Sequence, residues 1–268
     1  MILNASIVER AKAGVPLTAA ELDELAAADV LSLGMLADEV RRLRVGDTVT
    51  YSQDAEARLT ALPATLADAT TVIREAKSAA TGALAGYSLA DVIDRNWGAL
   101  ADVLKQLKAA GLDAIAEAPI DRVADLPAAL RAVQEAGLAL NCLSLQKPLN
   151  ESRTSYLLKV RDIVTQFPWL HAVAPLPREQ SIAVPTTGYD DVRAVALARL
   201  ALPSVKNIQV DWTQYGPKLA QVALTFGAND LDRVSAVNDE SLGRRRTSAE
   251  DVRRNIAAAG FTAAERRS

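Results

Sequence analysis

Acidic side chains stand where several predicted strands of this sequence end. Glu117 lies near the end of one such strand and Asp211 near the end of a second, while Asp230 lies at a helix-to-strand junction just before a third. Carboxyl groups with separated pKa values can divide the roles of general acid and general base. Glu117, Asp211 and Asp230 are therefore the candidate catalytic residues, although the pattern does not show that they face one another.

The segment Asn207–Trp212 predicts which side chains share a face. Side chains alternate along a strand, so Gln209 and Asp211 lie on one face while Trp212 lies on the other with the aliphatic residues. The candidate ligand-binding residues are Gln209, Asp211, Trp212, Asn229, Asp230, Asp232 and Arg178. Two alternatives stay open, a solvent-facing Asp211 and an Asx turn at residues 229–232, since Asn and Asp favour such turns.

Thiol and imidazole groups are scarce in this chain. It contains one cysteine, Cys142, and one histidine, His171. A disulfide within the chain and a site of several cysteine ligands are both excluded, and a zinc site would have to use carboxylates. We predict no metal site, a small buried hydrophobe at Cys142, and a structural or surface role for His171.

The overall composition favours a globular protein of one large domain. The chain has 268 residues, half of them hydrophobic, and a net charge of −3. This charge offers no basic surface for nucleic acid, and no apolar run reaches the roughly 18 residues that cross a bilayer. The chain begins without a signal-peptide pattern. We expect a cytoplasmic protein that binds neither nucleic acid nor membrane.

Strands and helices alternate after an opening helical region. Thr18 and Glu21 form a capping-box pattern, and a second helix is predicted from Ser32 to Leu43. The predicted strands are Thr48–Tyr51, Ala57–Leu62, Gly82–Tyr87, Ala114–Ala118, Ala139–Leu145, His171–Leu176, Asn207–Trp212 and Asp232–Ala236. The predicted helices between and after them are Leu66–Ala80, Leu89–Ala110, Leu126–Ala136, Ser152–Gln166, Asp190–Leu200, Gly216–Phe226 and Ser248–Ala259.

This alternation predicts an α/β fold with a parallel sheet. So many units in series favour a full or partial (β/α) TIM-like barrel, with a doubly wound open sheet as the alternative. We expect residues 1–47 to form an N-terminal helical segment that packs on the barrel, and residues 48–268 to form the barrel as a single unit.

The C-terminal third carries a more specific pattern. A strand ending in Asp211-Trp212 is followed by Tyr215-Gly216-Pro217, a helix, and Gly227-Ala228-Asn229-Asp230-Leu231. This order resembles the closing strands of the radical-SAM family of aminofutalosine synthase, cyclic dehypoxanthine futalosine synthase and the deazaflavin synthases. The resemblance implies a barrel of the radical-SAM type and a link to menaquinone biosynthesis by the futalosine pathway.

The chain departs from that family where the family binds its cofactor. The family holds a four-iron cluster through three cysteines in a Cys-x3-Cys-x2-Cys loop after its first strand, whereas residues 51–60 here contain no cysteine. Cluster ligation requires thiolates. We therefore expect no iron–sulfur cluster and no radical chemistry from the residues of this chain.

Three functions remain open at this level. The first is a pseudoenzyme, a cluster-free relative that binds a nucleoside-like or aromatic ligand or regulates a catalytic family member as part of a homo- or hetero-oligomer. The second is an iron-independent lyase or hydrolase that uses the carboxylates at the barrel mouth. The third is binding of S-adenosylmethionine or a nucleoside without reductive cleavage, which the missing cluster weakens because the family's open iron also holds that cofactor.

Overall fold

The computed structural model describes residues 3–53, 58–80, 82–179, 186–234 and 249–266. Structural statements below concern these residues. The stretch 54–57, inside the segment where the resembled family places its cysteines, lies outside them, as do residues 235–236 of the last predicted strand.

Eleven helices and ten strands are assigned within the described residues. The helices are α1 (Ala5–Lys12), α2 (Ala19–Ala27), α3 (Val30–Val45), α4 (Leu66–Ala79), α5 (Leu89–Asp94), α6 (Leu100–Ala110), α7 (Leu126–Glu135), α8 (Arg153–Gln166), α9 (Gly188–Ala201), α10 (Trp212–Leu224) and α11 (Ala249–Ala258). The strands are β1 (Thr48–Gln53), β2 (Arg58–Leu59), β3 (Ala85–Ser88), β4 (Ala114–Pro119), β5 (Ala139–Leu140), β6 (Leu143–Leu145), β7 (Ala172–Pro177), β8 (Asn207–Asp211), β9 (Asp230–Val234) and β10 (Thr262–Glu265).

The strands form one parallel sheet that does not close on itself. Its order is β10-β1-β9-β8-β7-β6-β4-β3-β2, with β5 paired to β4, and every pairing is parallel. Parallel strands joined by helices place those helices on the outer face. The predicted partial barrel is confirmed.

The two faces of the sheet differ in side-chain size. Outward-facing residues such as Leu143 and Val173 belong to the large aliphatic core shared with the helices. Cys142, Ala172 and Ala174 form a separate small cluster, which we assign to the inner face because they alternate with those outward residues. Small side chains there leave space for the charged groups at the carboxyl ends of the strands.

The N-terminal helices pack on the outside of this sheet. Thr18 caps α2 with the predicted capping box, in which its side chain and that of Glu21 bond reciprocally to the backbone. Helix α3 lies along α9, where Gly34 leaves room for the ring of Phe226. Arg44 ties α3 to this layer by donating to the carbonyl of Arg199 at 3.0 Å.

Several element boundaries differ from the sequence-based expectation for identifiable reasons. The helix predicted from Leu89 to Ala110 is two helices, because Asn96 and Gly98 between them have positive φ. Helix α10 starts early, at Trp212, and is interrupted at Gly216, where φ is 73° before Pro217. Strand β9 starts at Asp230, so the turn interpretation was wrong for Asp230 and Asp232, which lie within a strand.

No described helix combines the length and apolar character that crossing a bilayer requires.

Candidate functional site

Parallel register brings polar side chains from three neighbouring strands to the inner face. Gln209 of β8 is paired with Asp230 of β9, and Asp230 is paired with Thr50 of β1. One step further along, Asp211 is paired with Asp232. Paired residues of adjacent strands point to the same side of a sheet. The predicted shared face of Gln209 and Asp211 therefore carries two further aspartates.

Arg178, which follows β7, occupies the centre of this face. Its Nε donates to Glu117 Oε2 at 2.9 Å and its Nη1 donates to Asp211 Oδ2 at 3.2 Å. Its Nη2 lies 3.4 Å from Asp232 Oδ2 and 3.4 Å from Gln209 Oε1. Only 3% of the Arg178 side chain is exposed. Three candidate carboxylates are thus paired with one buried guanidinium of the same chain.

The environment of Arg178 keeps it charged. Burial alone would lower the pKa of its guanidinium, but the negative charges of the nearby Glu117, Asp232 and Asp211 carboxylates outweigh burial and raise that pKa. The Cys142 Sγ atom lies 3.6 Å from Arg178 Nη2. Arg178 therefore acts as a permanent cation inside the sheet.

Arg233 pairs with the same acids from the solvent side. Its Nη2 donates to Glu117 Oε1 at 3.1 Å, and its Nη1 lies 3.4 Å from Asp211 Oδ2. Its backbone has φ 56°, a left-handed conformation that is costly for a residue with a side chain. This conformation breaks the strand alternation, so consecutive residues Asp232 and Arg233 both reach the barrel mouth.

Arg266, which follows β10, completes the group. Its Nη1 donates to Asp230 Oδ2 at 2.8 Å, and its Nη2 lies 3.6 Å from Asp232 Oδ1. We call the assembly the mouth cluster and define it as Glu117, Arg178, Gln209, Asp211, Asp230, Asp232, Arg233 and Arg266. Its four carboxylates face three guanidiniums, so the described groups come close to electrical balance.

Asp230 is the carboxyl group whose protonation the cluster alters most clearly. It is fully buried. Burial raises the pKa of Asp230, while Arg266 and hydrogen bonds from Thr50 and Gln209 act in the opposite direction. The Gln209 Nε2 atom donates to Asp230 Oδ2 at 2.7 Å. Asp230 therefore takes up a proton more readily than an ordinary aspartate does.

This shift predicts how stability depends on pH. Because the pKa of Asp230 is higher in the folded protein than its usual value of 3.8, its protonation favours folding, and that contribution fades as the pH rises through the folded pKa. The unfolding free energy of the wild type minus that of Asp230→Asn should fall as the pH rises from the usual value of 3.8 through the raised pKa of the folded protein. Urea titrations of both proteins across this range measure the difference.

Asp113 offers a control of opposite sign. Hydrogen bonds from Lys77 and the Leu84 amide, with the charges of Lys77 and Lys108, outweigh burial and lower the pKa of Asp113. The corresponding difference for Asp113→Asn should therefore rise with pH over the acid range. Parallel behaviour of the two variants would contradict the assignment for Asp230.

Two predicted ligand-binding residues lie away from the mouth cluster. Trp212 is fully buried and belongs to the aliphatic core on the outer side. The Asn229 side chain accepts from Arg199 and from the Ile208 amide, and donates to Asn207 Oδ1 at 3.0 Å. These contacts give Asn229 a structural role at the start of β9. His171 is exposed just before β7, as the sequence indicated.

Three contributors to the site were not anticipated. Arg233 and Arg266 supply two of its three cations, and Thr50 donates to Asp230 from β1. Arg233 follows a predicted site residue directly, but only its unusual φ turns it toward the mouth. Arg266 follows the short strand Thr262–Glu265, whose composition carries no strand pattern.

The described acidic, cysteine and histidine side chains provide no group of three or more that could hold a metal ion. Carboxylates of the mouth cluster are instead directed at arginines. This arrangement suits charge balance inside the sheet, because buried charges require partners.

A cavity of about 390 Å³ lies on the outer side, between α5, α6 and α7. Its walls are mainly aliphatic and include Val92, Val103 and Val123, with Asn96 and Asp125 also contributing. It is separate from the mouth cluster.

Comparison with known proteins gives a match to one family model and to several relatives that share one enzyme name. Residues 162–268 match the family model described as the CofH/MqnC C-terminal region. A 5-amino-6-(D-ribitylamino)uracil–L-tyrosine 4-hydroxyphenyl transferase of Methanosarcina barkeri is 31% identical over 184 residues, or 56% of this chain and 48% of that protein. A protein of the same name from Methanopyrus kandleri is 30% identical over 199 residues, or 62% of this chain and 53% of that protein. The chain spans about half the length of these two relatives, and 26% of a similar one from Archaeoglobus fulgidus.

Solved structures with low identity share the fold. HydG, a maturase of the [FeFe]-hydrogenase, superposes with a TM-score of 0.64 at 13% identity, covering 97% of this chain and 74% of HydG. Methylornithine synthase (PylB) also has a TM-score of 0.64, at 15% identity, covering 96% of this chain and 97% of PylB. These likenesses support the partial-barrel fold.

Proposed function

We propose, starting from the relation of this chain to the CofH/MqnC-type radical-SAM proteins, that it is a cluster-free pseudoenzyme that acts as a regulatory or stabilising partner of a catalytic family member. The observation that carries the proposal is the mouth cluster. Of the candidate catalytic acids, Glu117 and Asp211 are engaged by Arg178 at its centre, and Asp230 is engaged by Arg266.

The side chains present do not fit an iron–sulfur cluster. Such a cluster needs several thiolates in one loop, and this chain contains the single cysteine Cys142. That cysteine is 1% exposed and lies beside Arg178 rather than in a loop after β1. These observations support a chain whose own residues do not perform radical chemistry.

Loss of the cluster also bears on S-adenosylmethionine. In the resembled family the open iron of the cluster holds the amino-acid end of that cofactor, and Arg178 here is already bound by acids of its own chain. A nucleoside-like or aromatic ligand remains compatible with the fold. We rank binding of S-adenosylmethionine itself below a partner role.

The proposal specifies the partner only as a member of the CofH/MqnC group. The sequence pattern pointed to menaquinone biosynthesis, whereas the curated relatives are named as 4-hydroxyphenyl transferases. We therefore define the partner by its family and by its possession of the three cluster cysteines, rather than by one pathway.

The test is co-expression with a CofH/MqnC-type radical-SAM protein encoded in the same genome. We expect the two chains to elute together in gel filtration and the partner's turnover or half-life to change at least about threefold. After anaerobic reconstitution, this chain alone should bind far fewer than the roughly four irons of a cluster. Separate elution at micromolar concentrations with unchanged turnover would contradict the partner role, and about four irons per chain would contradict the cluster-free assignment.

A second function is favoured by one observation. Asp230, with its raised pKa, lies two residues from Asp232 on the same face of β9, and such pairs support general acid–base chemistry. An iron-independent lyase or hydrolase would use this pair. Turnover of a nucleoside or aromatic-acid panel that Asp230→Asn and Asp232→Asn each abolish would favour this enzyme over the partner role.

A further inference from the structure

The last described segment of the chain, residues 249–266, packs against the rest through few elements. It comprises α11 and β10, and β10 is an edge strand that pairs only with β1 among the described strands. Within α11, Val252 and Ile256 are the buried residues. An edge strand with one neighbour and a small buried face is the type of element that opens locally before a domain unfolds.

Besides the pairing of β10 with β1 and the buried side chains of α11, three described side-chain pairs hold this segment in place outside the mouth cluster. The ring of Phe261 lies under the guanidiniums of Arg41 and Arg42, at 4.2 and 4.9 Å from its centroid. Arg253 donates to the Tyr51 hydroxyl at 2.9 Å. Arg41 is fully buried and Phe261 is 6% exposed, so their cation–π contact is among the stronger of its kind. One such contact is still small beside the free energy of global unfolding, so it sets the position of the segment without making it permanent.

The fourth contact reaches the barrel interior. The Arg266 amide donates to the Tyr51 carbonyl at 2.8 Å, which places the Arg266 guanidinium against Asp230 and Asp232. Asp230 is fully buried and Asp232 is 3% exposed. Arg266 therefore links two features: the edge strand β10 docks on β1, and the same residue pairs with the buried acids Asp230 and Asp232.

We propose that α11 and β10 form a latch, closed by Arg266, whose release opens the β9 side of the barrel mouth and exposes Asp230 and Asp232 to solvent. The latch is a two-state element that a partner or ligand can bias, because anything that binds better to one state shifts the balance between them. It concerns the same site as the proposed function but does not depend on which function is correct.

The test compares the full-length wild type with Arg266→Ala and with Arg254→Ala. Arg254 lies on the same segment, but it is mostly exposed and pairs only with Glu250 among the described contacts, so it serves as the matched control. Hydrogen exchange followed by mass spectrometry reports opening. Carbodiimide-driven labelling of carboxyl groups reports exposure of Asp230 and Asp232.

For Arg266→Ala we expect exchange in residues 249–266 and in β1 to rise at least about tenfold, because a buried charge-assisted hydrogen bond is lost. Labelling of Asp230 and Asp232 should rise with it, while β4, β7 and α8 exchange at wild-type rates. Arg254→Ala should match the wild type throughout. Unchanged exchange and labelling in Arg266→Ala, or an equal rise over the whole chain, would overturn the latch.

A measurement on the wild type covers the case in which Arg266→Ala does not fold. Hydrogen exchange is measured at urea concentrations below the unfolding transition. The amides of residues 249–266 should exchange through a local opening whose rate depends only weakly on urea, because it exposes little surface. This opening should cost less free energy than the opening that exposes the amides of α8. If every amide exchanges only through global unfolding, the segment is no latch.

Discussion

Arg178→Ala is expected to lower the free energy of unfolding by about 3–5 kcal/mol, which is typical when one partner of a buried ion pair is removed. The variant leaves Glu117, Asp211 and Asp232 facing one another with side-chain exposures of 8%, 2% and 5%. Arg233 and Arg266 remain, but among the contacts of the described residues only those of Arg178 reach all three acids. Urea denaturation with an unchanged m-value is the measurement.

Arg122→Ala is the matched control for this result. Arg122 also pairs with two carboxylates, Asp91 and Asp94, but all three lie at the surface. Exposed ion pairs contribute about 0–1 kcal/mol, so this variant should stay near the wild type. Similar losses for Arg178→Ala and Arg122→Ala would show that the mouth cluster is not a buried structural network.

A double-mutant cycle separates pairing from packing. Glu117→Gln keeps the shape of the side chain but removes its charge. If Arg178 and Glu117 act as a pair, the loss in the double variant Arg178→Ala/Glu117→Gln should be smaller than the sum of the single losses by about 1 kcal/mol or more. If the two single losses simply add in the double variant, Arg178 does not stabilise the protein through its pairing with Glu117.

Local sequence patterns were sufficient to predict most of the helices and strands and the faces that their side chains share. The capping box at Thr18 was predicted from residue type and is present. Alternation along residues 207–212 correctly separated Gln209 and Asp211 from Trp212. These features depend on contacts between near neighbours in the chain, which a sequence displays directly.

Local patterns could not predict which charged residues of the mouth cluster pair with one another. Arg178 and Glu117 are 61 residues apart, and Arg233 and Glu117 are 116 apart. Only the curvature and register of the sheet bring them together, so Glu117, Asp211 and Asp230 looked like free acids in the sequence. The barrel mouth is in fact neither apolar nor openly acidic, because its carboxylates are paired with arginines.

The second large effect is expected at Arg199, on the opposite side of β8 and β9 from the mouth. This residue is fully buried and donates to the carbonyls of Gly227, Val205 and Lys206 and to Asn229 Oδ1. Burial, with the nearby charges of Arg44 and Arg41, lowers the pKa of Arg199 to about 9. The residue is thus a structural donor that holds the turn before β9.

Arg199→Met should therefore lower the free energy of unfolding by about 3 kcal/mol or more, because it retains volume but leaves several buried acceptors without a donor. Urea unfolding measures the loss. Asn229→Ala should behave similarly, and the two losses should be less than additive, since each removes the Arg199–Asn229 contact.

If Asn229→Ala instead left stability unchanged and weakened binding of a ligand, the ligand-binding role first assigned to Asn229 from the sequence would be restored. Loss of stability without an effect on binding would limit the candidate ligand-binding residues of segment 229–232 to Asp230 and Asp232.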